Sequence, residues 1–375
     1  MNKNPLKSFK LRVLTLCLFV SLLVTGCGAA ESTATRVQAT ATRIALESTN
    51  TPQSPTATPV PPMATDTSKP PTATPAPTET LTPTPTTPPM DTPAPLPPLA
   101  GSGGGVIAFF SSRDGNDEIY VMNADGSDQR NLTNHPASDT DPAWSPDGSQ
   151  IAFSSDRQGN LEIYVMDANG DNVHRLTNSP SVDADPIWSP DGTQIAFLSL
   201  RTGNCQVYLI NADGSDLQRL TRNSYDDWEI DWSPDGTQIA MSSQVGEYAN
   251  IYTIQVEAAL QGSTERQQLT ETQAHDGFPK WSPDGSQIAF ISNREGGDNW
   301  ELYVMGAESD EQGSRNQRRL TYSDGLDGIP TWSPDGSRIA FESNRDGDKE
   351  IYVLNVEEAL QDPEGVEIVR LTDNE

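Results

Sequence analysis

The chain has 375 residues and carries 53 acidic against 24 basic side chains, a net charge of −29 with His neutral. That excess excludes broad affinity for nucleic-acid phosphates and electrostatic adhesion to anionic lipid. Its three cysteines, Cys17, Cys27 and Cys205, fall in segments of different character, which excludes a disulfide framework within one folded domain.

Residues 1–26 have the make-up of an export signal: Lys3, Lys7, Lys10 and Arg12, with an apolar run from Leu11 to Val24. The run is too short for a comfortable membrane span. It ends in Val24-Thr25-Gly26-Cys27, which resembles a bacterial lipobox. The resemblance implies that Cys27 becomes the first mature residue and carries lipid, an anchor rather than a span. The expected location is the bacterial cell envelope, lipid-anchored, either periplasmic or at the cell surface. Residues 27–105 form the next segment, with 17 prolines between Pro52 and Pro98 among Thr and Ala, then Gly101-Ser102-Gly103-Gly104-Gly105. Such a composition predicts a disordered, partly stiff stalk. At roughly 3 Å per residue in polyproline form, it reaches on the order of 100 Å.

Folding is expected over 106–375, where 48 acidic residues face 17 basic ones. The stretch WSPDGSQIAF at 144–153 returns at 188, 232, 281 and 332 with small changes, so Trp144, Trp188, Trp232, Trp281 and Trp332 mark a repeat. A Leu-Thr pair closes each unit, at Leu132, Leu176, Leu220, Leu269, Leu320 and Leu371. Six units with a period in the 40s and several short strands each predict a six-bladed, all-β propeller. Within the unit of Trp144, strand a is expected at 142–144, b at 151–154, c at 162–166 and d at 174–177. Ser145-Pro146-Asp147-Gly148 is a tight turn, with Pro presetting φ and Gly taking the left-handed position. The first unit starts at strand b, so blade 1 is expected either with three strands or with an irregular inner strand from 95–105.

These motifs resemble the WD40-like (PD40) repeats of the TolB family, over essentially all of 106–375. The resemblance implies a six-bladed propeller of the kind found in an envelope protein and in some peptidases. This chain departs from both: the Thr/Pro stalk stands where TolB has a small α/β domain, and no G-x-S-x-G elbow of a hydrolase is present.

Strand order places the d–a and b–c loops on one face, called the mouth here, and the a–b and c–d turns on the other. Five residues before each Trp stands an acid: Asp139, Asp183, Asp227, Asp276 and Asp327. Three residues before stand Asp141, Asp185 and Glu229 in the first three copies. The b–c turns supply Arg113, Arg157, Arg201, Arg294 and Arg345, while Gln244 is read at that place in the blade of Trp232. Each Asp either pairs with the Arg of its own blade or joins a polar ring for a cation, a glycan or a protein tail. Arg113, without a preceding Asp, together with Trp228, Glu229 and His275, completes the candidate ligand or partner ring. On the opposite face the connections at 257–265, 306–317 and 357–367 are longer, two of them reading as helical turns. Asp114–Glu118 and Asn123–Asp128 are oxygen-rich, so calcium is the one cofactor to consider, though neither matches a calcium-loop pattern. The expected function is a membrane-anchored binding module for an envelope protein or polysaccharide, with no catalytic residue nominated. A glycan-acting lyase or hydrolase at the carboxylate-rich mouth, and a purely structural module, are the alternatives.

Overall fold

The computed structural model describes residues 105–373, apart from 297, 298 and 312. The expected signal peptide, the Cys27 lipid site and the stalk lie outside the described residues, except for Gly105. Six antiparallel sheets follow one another along the chain. Blade 1 has three strands among the described residues: β1 (Val106–Ser111), β2 (Glu118–Asn123) and β3 (Arg130–Asn131). Blade 2 comprises β4 (Asp139–Trp144), β5 (Gln150–Ser155), β6 (Glu162–Asp167) and β7 (His174–Arg175). Blade 3 comprises β8 (Asp183–Trp188), β9 (Gln194–Ser199), β10 (Gln206–Asn211) and β11 (Gln218–Arg219). Blade 4 comprises β12 (Asp227–Trp232), β13 (Gln238–Val245), β14 (Tyr248–Gln255) and β15 (Gln267–Gln268). Blade 5 comprises β16 (Asp276–Trp281), β17 (Gln287–Ser292), β18 (Glu301–Gly306) and β19 (Arg318–Arg319). Blade 6 comprises β20 (Asp327–Trp332), β21 (Arg338–Ser343), β22 (Glu350–Asn355) and β23 (Ile368–Arg370). Two short helices, α1 (Val256–Leu260) and α2 (Val356–Gln361), stand in c–d connections, as the sequence pattern predicts.

No blade is self-sufficient, because strand side chains alternate between two faces and both faces must be covered. The core therefore sits between blades. Ala152, Ile163 and Val165 of blade 2 pack on Trp188, Ile195, Phe197, Tyr208 and Ile210 of blade 3. Each Val, Ile or Phe side chain taken from water contributes roughly 1.5–3 kcal/mol. The ring closes where Phe109, Tyr120 and Met122 of blade 1 meet Ile351 and Leu371. Gly126 fits this seam: its φ is +82°, and a Cβ there would lie 2.4 Å from the Leu371 carbonyl oxygen.

The two strongest motifs prove to be fasteners. In the Ser-Pro-Asp-Gly turn, Ser145 Oγ donates to Asp147 (2.7 Å) and accepts from the Gln150 N–H (2.9 Å), and Asp147 also accepts from the Ser149 N–H. These donors hold the exposed Asp147 carboxyl below its ordinary range, Ser145 foremost. In the Leu-Thr pair, Thr177 Oγ1 accepts from the Ile163 N–H (2.9 Å) and donates to the buried Glu162 (2.6 Å), tying strand d to strand c.

Candidate functional site: the mouth and the channel

At the mouth, Asp and Arg find each other blade by blade. Arg157 meets Asp139 at 2.8 Å, Arg201 meets Asp183 at 2.6 Å, Arg294 meets Asp276 at 3.0 Å and Arg345 meets Asp327 at 2.9 Å. Each of these Asp side chains is fully buried, and each Arg also stacks on the Phe and Tyr of strands b and c, as Arg157 does on Phe153 and Tyr164. Burial pushes the Asp183 carboxyl up, against the pull of Ser199 and Arg201.

Blade 4 departs from this pattern, and the sequence reading needs a correction there. The b–c hairpin is longer, with Gln244 paired to Ala249 and Val245 to Tyr248 across a two-residue turn. Counted from the Trp, Val245 and not Gln244 takes the Arg place. The cation comes instead from the residue just before strand d: Arg266 lies 3.8 Å from Asp227, donates to Ser243 Oγ at 2.8 Å and stacks on Tyr225 and Tyr252. Arg113 of blade 1 takes the same pose as its counterparts. It stacks on Phe109 and Tyr120 and donates to Ser111 and Gln129, without an inner-strand Asp among the described residues.

The residue three before each Trp is where the structure adds most. Each of the five described inner strands has a bulge there, and Asp141, Asp185, Glu229, Phe278 and Ile329 adopt φ between 50° and 56°. A left-handed Phe or Ile is costly, so the packing around the bulge imposes the conformation. Asp141, Asp185 and Glu229 come into electrostatic reach of one another deep in the ring, with Lys280 as their counter-charge. They bridge blades: Glu229 accepts the Phe278 N–H at 3.0 Å, and the next acid, Asp231, accepts the Trp281 N–H at 2.8 Å and pairs with Lys280. Burial, then the Asp141 charge, pushes the Asp185 carboxyl up. Lys280 is held above its ordinary value despite burial, because Asp231 and Asp185 face it.

The remaining candidates separate. Trp228 is 7% exposed and belongs to the core between blades 3 and 4, so it offers no contact surface at the mouth. His275 lies on the mouth face between Tyr248 (ring centres 5.6 Å apart) and Trp300 (6.5 Å), and its Nδ1 accepts the Ala249 N–H. Tyr225 and Tyr322, which are 37% and 48% exposed, stand on the d–a loops to either side, and the five rings are together called the aromatic arc. The sequence reading singled out His275 but missed Tyr248, Trp300 and Tyr322. Their signal was a break in the repeat: Asn160 and Leu161 stand where Tyr248 and Trp300 do. The oxygen-rich loops of blade 1 serve local turns, as where Asp125 accepts the Ser127 N–H. Among the described residues no group of three or more His, Cys, Asp or Glu side chains is arranged to hold a metal ion.

The family model described as the TolB beta propeller domain matches residues 97–162, 157–264, 229–313 and 260–366. Among solved structures, TolB of Acinetobacter baumannii is similar with a TM-score of 0.61 and 20% identity, over 72% of this chain and 64% of that one. The chain thus spans just under two thirds of that protein's length. Hydrazine synthase of Kuenenia stuttgartiensis is similar with a TM-score of 0.56 and 14% identity, over 73% of this chain and 45% of that one. A chain of the nidogen/laminin complex gives 0.53 and 9%, over 68% and 91%. No curated protein matches. Such different neighbours share the fold and leave function to be argued from the site.

Proposed function

Because the chain belongs to the TolB β-propeller family, we propose that its ring is a binding module, held outside the cytoplasm by lipid on Cys27, that engages a protein of the cell envelope. The observation that carries this reading is the aromatic arc of Tyr225, Tyr248, His275, Trp300 and Tyr322. The mouth carboxylates are engaged with their own Arg residues and serve the frame. The aromatic rings break the repeat and stand on loops of one face, Tyr225 and Tyr322 exposed and Tyr248, His275 and Trp300 half-buried. Tyr and Trp at such places carry binding energy out of proportion to their number. The net charge of −31 over 106–375 favours a partner with a basic contact segment.

The test is co-purification from native envelopes with the full chain as bait, beside a bait carrying Trp300→Ala and Tyr322→Ala. A protein retained by the first bait and lost from the second is the expected result. Retention of the same proteins by both baits would reject the arc as the contact. Retention of polysaccharide instead of protein would replace the partner class, and turnover of that polysaccharide would revive a glycan-acting enzyme. Anchoring is tested separately. Cys27→Ser should release the protein from the membrane fraction, and acyl chains absent from Cys27 by mass spectrometry would rule the anchor out.

A further inference from the structure

The connection between strands c and d of blade 5 is built unlike the other five. In blades 1–3 it is a tight turn, closed by the N–H groups of Asn123, Asp167 and Asn211 on the carbonyls of Ser127, Asp171 and Ser215. In blades 4 and 6 the helices α1 and α2 stand there. In blade 5 strand c ends in Gly306, where the other blades have Asn123, Asp167, Asn211, Gln255 and Asn355. The Gly306 N–H closes the connection on the Arg315 carbonyl at 2.6 Å, and a Cβ on Gly306 would lie 3.0 Å from the Glu308 carbonyl oxygen and 3.4 Å from that of Arg315. Glycine thus lets this longer excursion fold back on its own stem.

The fold-back sets Arg315 beside blade 4. Arg315 and Gln317 on one side, and Gln267, Gln268 and Glu271 on the other, line a groove of about 570 Å³, a size that suits a small ligand. Arg315 is 9% exposed. Its Nη1 donates to the carbonyls of Ala307 and Gly306. Among the described residues its Nε and Nη2 have no hydrogen-bond partner, and no carboxylate pairs with it. Burial lowers its pKa, and the charge of Glu308 offsets this only in part. Arg175, Arg319 and Arg370, by contrast, pair with Glu162, Glu301 and Glu350. A guanidinium taken from water without a counter-charge is costly, and its Nε–Nη2 edge fits a carboxylate or phosphate through two parallel hydrogen bonds.

The rest of the lining is amide and hydroxyl with little apolar surface. Gln267 makes no side-chain hydrogen bond among the described residues. Gln268 donates to the Thr270 carbonyl and keeps its Oε1, and Gln317 accepts from Arg294 and keeps its NH₂. Such groups exchange hydrogen bonds with sugar hydroxyls and give a peptide side chain nothing apolar to enter. Glu271 also accepts from hydroxyls and disfavours a second anion, which selects a glycan of sparse charge.

We propose that the groove between blades 4 and 5 binds an oligosaccharide carrying an anionic group, with the anion on Arg315 and the hydroxyls on Gln267, Gln268 and Gln317. It shares no residue with the aromatic arc, so either reading stands or falls without the other.

The test is a glycan array of carboxylated, phosphorylated and neutral oligosaccharides, probed with the labelled full chain. The expected result is retention on anionic spots above neutral ones, weakened roughly tenfold or more by Arg315→Gln. The balance between carboxylated and phosphorylated spots then tells which anion the groove takes. Gln267→Trp, which blocks the groove from an exposed position, should weaken retention as much and keeps the test valid if Arg315→Gln fails to fold. The pair Trp300→Ala and Tyr322→Ala should leave retention intact. Retention on neutral spots as strong as on anionic ones, or none at all, overturns the proposal. So does retention indifferent to Gln267→Trp, or lost with the Trp300 and Tyr322 pair, which would move the glycan to the arc. Competition by a peptide with a free C-terminal carboxylate, as effective as by the best glycan, would show the ligand class to be wrong.

Discussion

Glu162 is fully buried, and its carboxylate accepts from Thr177 Oγ1 at 2.6 Å, the Ser179 N–H at 2.7 Å and Arg175 at 2.6 Å. The Asn160 amide also donates to it at 3.3 Å, so removing it takes the acceptor from four donors. Glu162→Ala should therefore cost about 3 kcal/mol by urea unfolding, while Glu162→Gln should cost about 1, since Gln206 fills this place in blade 3. Equal effects from the two substitutions would mean that volume, not hydrogen bonding, is what matters. Asp185 works in the other direction. Burial and the nearby Asp141 raise its folded-state pKa, so its ionisation opposes folding. That penalty is absent below the ordinary carboxylate range and grows as pH rises toward the raised value. Asp185→Asn should then stabilise the protein at pH ~8 and do little at pH ~5. A melting-temperature gain independent of pH would show that the charge is not the cause. The exposed turn acid Asp335, held at about 2 by Ser333 and Ser337, has the opposite sign. Its contribution is present above the ordinary carboxylate value and is lost as pH falls through the folded one.

Among the elements, the repeat made the b and c strands legible to within a residue, because their apolar alternation is strong. The inner strands begin earlier than the expected 142–144: β4 starts at Asp139 and crosses a bulge at Asp141. That bulge was hidden because no residue type marks it: Asp, Glu, Phe and Ile all occupy the left-handed position. The outer strands are shorter than expected, with β7 limited to His174–Arg175, because the Thr177 hydroxyl, not a backbone carbonyl, takes the Ile163 N–H. Of the candidate site, the Asp–Arg pairing was legible from regular spacing. The service of Arg266 to blade 4 was not, because it depends on a long reach from the c–d connection, just before strand d. The two helices differ at their starts: the Asn355 side chain accepts the Glu358 N–H, whereas Gln255 makes no side-chain cap. Asn355→Ala should destabilise by about 1 kcal/mol and Gln255→Ala by only a few tenths. A loss of similar size at both positions in urea unfolding would show that the cap is not the reason.

At the scale of the whole molecule, charge and closure set the behaviour. With −31 over 106–375, self-repulsion opposes the compact state, and the paired Arg residues relieve it only locally. Sodium chloride up to about 0.5 M should raise the melting temperature by screening. A fall in melting temperature would show that the buried Asp–Arg pairs outweigh the repulsion. Four of the seams also share one small contact. The turn glycines 192, 236, 285 and 336 would each bring a Cβ within 3.7–3.8 Å of Cδ of Pro146, Pro190, Pro234 and Pro283 in the blade before. Every interior unit is thus peg on one side and socket on the other, with the same fit each time. Unequal recombination between units would join ends that already match. The family could therefore lengthen, trim or shuffle its rings by copying DNA alone, with no new interface to invent.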